Sequence, residues 1–336
     1  MTSPAQRGLP LTFYSMAEPE PGPGWQGLFS SAWPAYRRWY LRDGAAARTG
    51  LRECQRMLAT HMPELVPTWR RLVELAGDDP LAAQMLTLYN PPPYITGCSQ
   101  AVHLGAERAL VRNYDYAPEL FERVVLGSSF TGRRVVGTSD CLWGLVDGMN
   151  DAGLAVSLAF GGRPTAGTGF GIPLVLRYVL EVCDSAEQAR HTLARLPVHM
   201  PYNVTVTDLA GDYFSVFLGP AGEPVFTDSP VATNHELVPA AGDVGAPRSR
   251  ERWNLLASLV DDPGLDLEQL VGRFLAPPLR SDAYEAGFGT LYTAVYRPAE
   301  LAIEYRWPGS SWRHTVGSFA DGRHDVVLGG SQEAAE

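Results

Sequence analysis

The pair Gly97-Cys98 opens a strand-like run, and it is where this chain can do chemistry. A cysteine attacks a carbonyl carbon as thiolate, and a free thiol with a pKa of about 8.5 is only slightly ionised at neutral pH. It needs a base or a positive charge beside it. An α-amino group titrates at about 7.7–8.0. Cutting the bond before Cys98 would create such an amine, able to take the thiol proton directly or through water. Gly97 suits the cut, because without a Cβ it tolerates unusual backbone angles and leaves its carbonyl open to Sγ. By itself a Gly-Cys pair is usually a turn followed by a core cysteine, and only its context points to chemistry.

The run Arg112-Asn113-Tyr114-Asp115 follows at the distance of an adjacent antiparallel strand. Arg112 can favour the Cys98 thiolate and hold a substrate carboxylate. Asp115 can accept a hydrogen bond from the Cys98 amine. Residues three apart face opposite sides of a regular strand, so both reach one site only if the strand ends or bulges near Asn113. Asn203 stands at the start of another strand-like run and is a candidate oxyanion donor. Asn234 and His235 end a third; Asn234 is a candidate second oxyanion donor or substrate contact, and His235 and Tyr114 are candidate substrate contacts. Arg250 opens a helix and is a candidate support for the oxyanion or for Cys98. His199 and His235 are the alternative bases for a cysteine hydrolase that is never cut.

The elements that must position these residues are legible in outline. Residues 1–27 read as coil. Residues 31–88 read as helical, divided by Pro63 and Pro67, and Pro91-Pro92-Pro93 stops the helices. Strands are expected at 98–104, 109–113, 120–126, 141–147 and 154–160, with a hairpin turn over 148–154. Residues 172–196 read as one or two helices, Asp184-Ser185 being the break and N-cap. Strands resume at 203–207, 213–218 and 231–233. Helices follow at 249–259 and 265–274, then a closing hairpin of 291–297 and 301–307. This order suits two antiparallel sheets packed between helix layers. The Gly-rich stretch 161–171 has neither a Walker lysine nor a dinucleotide fingerprint, and it is expected to line the substrate cleft. Cys141 and Cys183 lie in apolar runs and read as core.

Composition narrows the function classes. The chain has 336 residues, 45% of them apolar, enough for a sizeable core. A net charge of −10 argues against a nucleic-acid partner. All 27 basic residues are arginine, which excludes Schiff-base lysine, P-loop and Ser-Lys chemistry. Four cysteines without a C-x-x-C pair exclude zinc-ribbon and thioredoxin readings and suit a reducing compartment. With no signal-peptide pattern and no apolar run of about 20 residues, the expectation is a cytoplasmic protein without a membrane partner.

Taken in order, Gly97-Cys98-Ser99, Arg112 to Asp115, Gly144 to Val156, Tyr202-Asn203-Val204, Thr233-Asn234-His235 and Ser249-Arg250 resemble the linear amide C–N hydrolases of the N-terminal-nucleophile (Ntn) superfamily. That group includes choloylglycine hydrolases, penicillin V acylases and the acyl-CoA:6-aminopenicillanate (isopenicillin N) acyltransferases. The resemblance implies an α+β, four-layer αββα sandwich with Cys98 as nucleophile. It implies Arg112 and Asp115 beside it and Asn203 in the oxyanion hole. Residues 1–97 would be a helical propeptide, retained as an α subunit after self-cleavage, and 98–336 the catalytic domain. The implied substrate is a small acyl amide. No cofactor or metal is implied, although a CoA thioester can serve as acyl donor. The cut fragments would stay together, and a homo-oligomer is left open, as is the choice between hydrolase, acyltransferase and a non-catalytic relative. Val111 and Glu236 depart from the family pattern, which touches substrate identity rather than mechanism.

Overall fold

The computed structural model describes residues 8–94, 96–236 and 248–329. It begins with strand β1 (Leu9–Ala17), then helices α1 (Pro23–Tyr40), α2 (Leu51–His61), α3 (Val66–Leu75) and α4 (Pro80–Met85). Strands β2 (Gly97–His103), β3 (Ala109–Tyr116), β4 (Val124–Ser128), β5 (Val135–Asp140), β6 (Gly144–Asn150) and β7 (Ala155–Phe160) follow. Helices α5 (Ile172–Val182) and α6 (Ala186–Arg195) lead to β8 (Tyr202–Thr207), β9 (Tyr213–Leu218), β10 (Val225–Thr227) and β11 (Val231–Ala232). Helices α7 (Ser249–Val260) and α8 (Leu267–Phe274) precede β12 (Gly289–Arg297), β13 (Ala302–Trp307), β14 (Ser310–Thr315) and β15 (Gly322–Leu328).

Two open sheets form the middle layers. One has nine strands in the order β10-β9-β8-β7-β6-β5-β4-β1-β15, the other six in the order β11-β2-β3-β12-β13-β14. Helices α5 and α6 cover the first, and α7 and α8 cover the second. The fold is thus α+β with four αββα layers. Its pairing is antiparallel except where β1 runs parallel to β4.

The helix pair after β7 shows why the sequence folds as it does. Helix α5 is buried on all sides, from Ile172 to Glu181, because it lies between the sheet and the N-terminal helices. Its one guanidinium, Arg177, donates through Nε to Trp143 O at 2.8 Å and through Nη1 to Ser128 Oγ at 2.6 Å and Glu181 at 3.2 Å. Ser185 then accepts from the amide of Gln188 and starts α6. Replacing a Ser N-cap by Ala costs about 1 kcal/mol. Ser185→Ala is therefore expected to lower the unfolding free energy by about 1 kcal/mol, read as a lower urea midpoint with an unchanged slope.

Three sequence expectations fail here. The expected coil over 1–27 fails within the described residues, 1–7 lying outside them: Leu11, Phe13 and Ser15 alternate inward on β1, and α1 starts at Pro23. Nor is the N-terminal region a purely helical segment apart from the sheets. The β1 strand pairs from Leu9–Leu328 to Ser15–Gly322 on one side and with β4 on the other. Its Phe13 ring lies 4.9 Å from Trp307 and 6.2 Å from Tyr292, which belong to the second sheet. Finally, the strand expected at 141–147 starts only at Gly144, because Cys141 and Leu142 turn with φ of 55° and 74°.

Candidate active site

Cys98 and its companions are placed by the pairing of β2 with β3. Cys98 lies opposite Tyr114, Gln100 opposite Arg112, and Gly97 opposite Asp115. Side chains alternate between faces along a strand. Cys98, Arg112 and Tyr114 therefore face the nine-stranded sheet, while Gly97, Ser99 and Asp115 face α7 and α8.

On the inner face Arg112 Nη2 donates to Cys98 Sγ at 3.2 Å. The same guanidinium lies 4.7 Å from the Tyr114 ring and pairs through Nη1 with Asp147 of β6. Asp147 also accepts from the hydroxyls of Tyr292 and Tyr296, each at 2.7 Å. Arg112 and Asp147 are both fully buried. The carboxylate thus fixes a cation against the sulfur from across the sheet interface. Thr96 Oγ1 lies 3.9 Å from the sulfur on its other side. Cys98 is 0% exposed, so in the uncut chain no substrate touches it. Burial pushes its thiol pKa up, and Arg112 pulls it back only in part.

On the outer face Arg252 of α7 gathers the backbone. Its Nη1 donates to Cys98 O at 2.8 Å and to Ser99 Oγ at 2.6 Å, and its Nη2 donates to Asn234 Oδ1 at 2.8 Å. Asn234 Oδ1 also accepts from the Cys98 amide at 2.9 Å. With both bonds on Oδ1, the Asn234 amide has one orientation. Its Nδ2 points at Phe160 O (3.1 Å) and Thr96 O (3.5 Å), beside the chain that leads into Cys98.

The sequence-derived candidates divide accordingly. Cys98, Arg112, Tyr114 and Asn234 come together around the sulfur and its amide. Asp115 does not reach the sulfur, since β3 stays in register with β2 through Asp115 and the irregularity falls on the β12 side, between Thr290 and Tyr292. Asp115 accepts from Thr290 Oγ1 at 2.6 Å and lies 3.7 Å from Arg252. Burial raises its pKa, opposed first by Arg252. Asn203 is buried, and both its N–H groups are occupied by Thr233 O and His235 O at 2.7 Å, so they have no hydrogen to give an oxyanion. Its amide ties the end of β11 to β8 instead.

Arg250 is exposed, and the arginine at Cys98 is Arg252. Ser249, Arg252 and Leu256 form the buried stripe of α7, which leaves Arg250 on the opposite side. Helical spacing from Ser249 was the signal for Arg252. For Asp147 it was a lone acid within the apolar run Gly144 to Met149.

Both candidate histidines turn Nδ1 toward groups other than the sulfur. His235 Nδ1 faces Ser249 Oγ at 2.8 Å. His199 Nδ1 faces Phe170 O at 3.3 Å, and burial drives its pKa down to about 4. Of the Gly-rich stretch, Gly162 (φ 90°) lies against Asn234 O, where a Cβ would come within 2.8 Å. Glu236 pairs with Arg163 at 2.9 Å. Cys141 and Cys183 are buried and free. Among the described residues no three His, Cys, Asp or Glu side chains are placed to hold a metal, and no helix is long and apolar enough to cross a membrane.

Gly97 is confined. A Cβ there would meet Phe288 at 2.7 Å and Asp115 Cβ at 3.1 Å. Overpacking of this kind costs about 1–3 kcal/mol. Because the Phe288 ring is partly exposed and can turn, Gly97→Ala is expected at the low end of that range by urea unfolding. Phe288→Ala in the same chain should recover most of the loss.

The family model for acyl-coenzyme A:6-aminopenicillanic acid acyl-transferase matches residues 104–312. That span begins just past Cys98 and contains Arg112, Asp115, Asp147, Asn203, Asn234 and Arg252. No curated protein matches the chain. Among solved structures, a mutant conjugated bile acid hydrolase from Clostridium perfringens is similar at 11% identity and a TM-score of 0.47, over 68% of this chain and 96% of the other. An N-acylethanolamine-hydrolyzing acid amidase ortholog from Caenorhabditis elegans gives 14% and 0.44, over 60% and 93%. Penicillin V acylase from Agrobacterium tumefaciens gives 13% and 0.41, over 69% and 84%.

Proposed function

Since the chain belongs to the acyl-coenzyme A:6-aminopenicillanic acid acyl-transferase family, we propose that it is a self-processing cysteine enzyme acting on small acyl amides, with Cys98 as nucleophile. The observation that carries this reading is the pincer on Cys98. Arg112 sits at its sulfur, and Asn234 and Arg252 sit at its amide and carbonyl.

In the first step Cys98 Sγ attacks the Gly97 carbonyl. The S–C bond forms, the Gly97–Cys98 C–N bond breaks, and the departing nitrogen takes a proton to become the Cys98 amine. Water then hydrolyses the thioester, releasing the Gly97 carboxylate and the free thiol. Arg112 favours the thiolate throughout. Asn234 Oδ1, already the acceptor of the Cys98 N–H, then orients the new amine. Asn234 Nδ2 is our choice of oxyanion donor: it too faces two carbonyls, but its bond to Thr96 O is long at 3.5 Å and is the one to be exchanged for the oxyanion, whereas both bonds of Asn203 are 2.7 Å.

In turnover the amine takes the thiol proton and Sγ attacks the acyl carbonyl of the substrate. The C–N bond breaks, and the leaving amine carries that proton away. Water resolves the acyl-enzyme in a hydrolase. An acceptor amine resolves it in a transferase, with a CoA thioester as the acyl donor. The family name favours keeping this second outcome in view. No cofactor is needed in either.

The test is mass spectrometry of the protein after brief incubation with an aryl acyl amide or acyl thioester, with and without an added amine. An acyl adduct on a fragment that begins at Cys98 is expected. Release as the acid marks a hydrolase, and release as a new amide marks a transferase. An adduct on another residue, or none, would overturn the reading.

A further inference from the structure

A cavity of about 370 Å³, which the scheme above leaves without a task, is lined by Tyr116, two positions along β3 from the cross-strand partner of Cys98. It runs between α1 and the segment joining β3 to β4. Aromatic walls come from Trp39, Tyr94, Tyr116 and Phe121, and two carboxyl groups, Glu122 and Asp140, stand at its floor. Tyr36 bridges them: its hydroxyl donates to Glu122 and lies 3.4 Å from Asp140 Oδ1. The site is built rather than incidental. Glu122 is held by Ser139 Oγ at 2.7 Å and the Leu142 amide at 2.6 Å, and Asp140 Oδ1 by the Cys141 amide at 2.8 Å.

Cys98 does not itself line the cavity; the two are linked by neighbouring side chains. The Tyr116 ring is tilted against Tyr114 at 5.7 Å between centroids, and Tyr114 is the cross-strand partner of Cys98. Tyr94 precedes the nucleophile in the same stretch of chain.

Faces of aromatic rings attract cations, and more strongly when water is excluded. Paired carboxylates do the same. Neutral acyl chains need only apolar walls. We propose that this cavity is the specificity pocket of the enzyme, and that it takes the ammonium-bearing end of a substrate whose acyl amide lies at Cys98. The claim rests on the amide-acting reading for the word substrate, but not for the pocket.

The electrostatics of the empty pocket agree. Burial first, and Glu122 second, push the Asp140 pKa up to about 7, so near neutral pH the acid pair retains a proton. An entering cation takes over that proton's role and favours the ionised pair. Affinity therefore rises as pH increases toward about 7 and levels off above it. The other titratable or charged groups facing the pair are Tyr36, Tyr94, Tyr114, Tyr116, Cys141 and Tyr202, with Glu119 and Arg123 in the cavity lining. Burial raises the pKa of each of these phenols and of the thiol and keeps them neutral.

The test is calorimetric titration of the purified chain, and of Cys98→Ala in parallel, with 2-phenylethylammonium and its uncharged match 2-phenylethanol. We expect the ammonium to bind at least tenfold more tightly. In Asp140→Asn/Glu122→Gln that preference should fall below about twofold. Asp140→Asn alone, which keeps an oxygen for the Cys141 amide, serves if the double variant does not fold, and should lower the preference at least threefold. Equal binding of the two probes, no binding of either, or a preference that survives the acid substitutions overturns the proposal. A preference retained by a chain that never cuts itself leaves the pocket and removes the enzyme. A preference absent from a chain that does cut itself removes the pocket and leaves the enzyme.

Discussion

Purified wild-type protein is expected to give two masses, residues 1–97 and 98–336, while Cys98→Ala gives one. The substitution deletes only the sulfur from a fully buried position. Its cost to stability is about 1 kcal/mol, since few atoms are lost. Failure to cut would therefore reflect missing chemistry and not a missing fold. Cys98→Ser separates the two further. A hydroxyl fits the same space but ionises far less readily, so cutting should slow by orders of magnitude without stopping. If wild type and Cys98→Ala both stay whole under folded, neutral conditions, the new amine never forms. The self-processing part of the proposal then falls.

Arg112→Gln should have the second largest effect, and on two independent readouts. Breaking a buried ion pair by removing one partner costs about 3–5 kcal/mol, because the other charge is left uncompensated. Asp147 would keep the hydroxyls of Tyr292 and Tyr296 and the Thr138 amide, so the low end of that range is expected. Adding Asp147→Asn should then restore part of the loss, a coupling that urea unfolding can measure.

The second readout is the pH dependence of self-cleavage. Burial raises the Cys98 thiol pKa and Arg112 lowers it. Removing Arg112 raises it further, so the thiolate fraction at a given pH falls. The rising limb of the rate–pH profile moves to higher pH, and each unit of that shift is roughly a tenfold loss at neutral pH. Arg112→Lys keeps a point charge and should move the limb less. An unshifted limb in Arg112→Gln would mean that Arg112 only braces the sheets.

The sequence was most legible where local chemistry decides. The break at Asp184-Ser185 is a side-chain N-cap, and the strand 213–218 is an isolated apolar run between turns, so both appear where expected. It was least legible where partners are distant. The β1 alternation of Leu11, Phe13 and Ser15 is hidden among prolines and glycines and becomes a strand only between β4 and β15. Strand β5 is another case, passing through Gly137, whose Cβ position is filled by Asp147 O of its neighbour. At the site, strand alternation foretold that Arg112 and Asp115 face opposite ways. It could not foretell that Arg252 would gather the Cys98 carbonyl, Ser99 and Asn234 on the outer face. For Asn203 the residue type was right for an oxyanion donor, but tertiary contacts had already claimed its hydrogens.

If the chain cuts itself as proposed, the position of β1 governs how it would fold again. It is an interior strand of the nine-stranded sheet, hydrogen-bonded on both sides and wedged by Phe13 between the sheets. In the uncut chain that strand is tethered to its place, so refolding is a first-order event. Once the tether at Gly97 is severed, a denatured sample holds two separate polypeptides, and one lacks a strand it cannot close its sheet without. Recovery then depends on their meeting, and its rate should scale with dilution. The cut would make folding a one-way passage at low concentration: the chain assembles as one molecule and, after the scission, persists as a complex that cannot readily form anew.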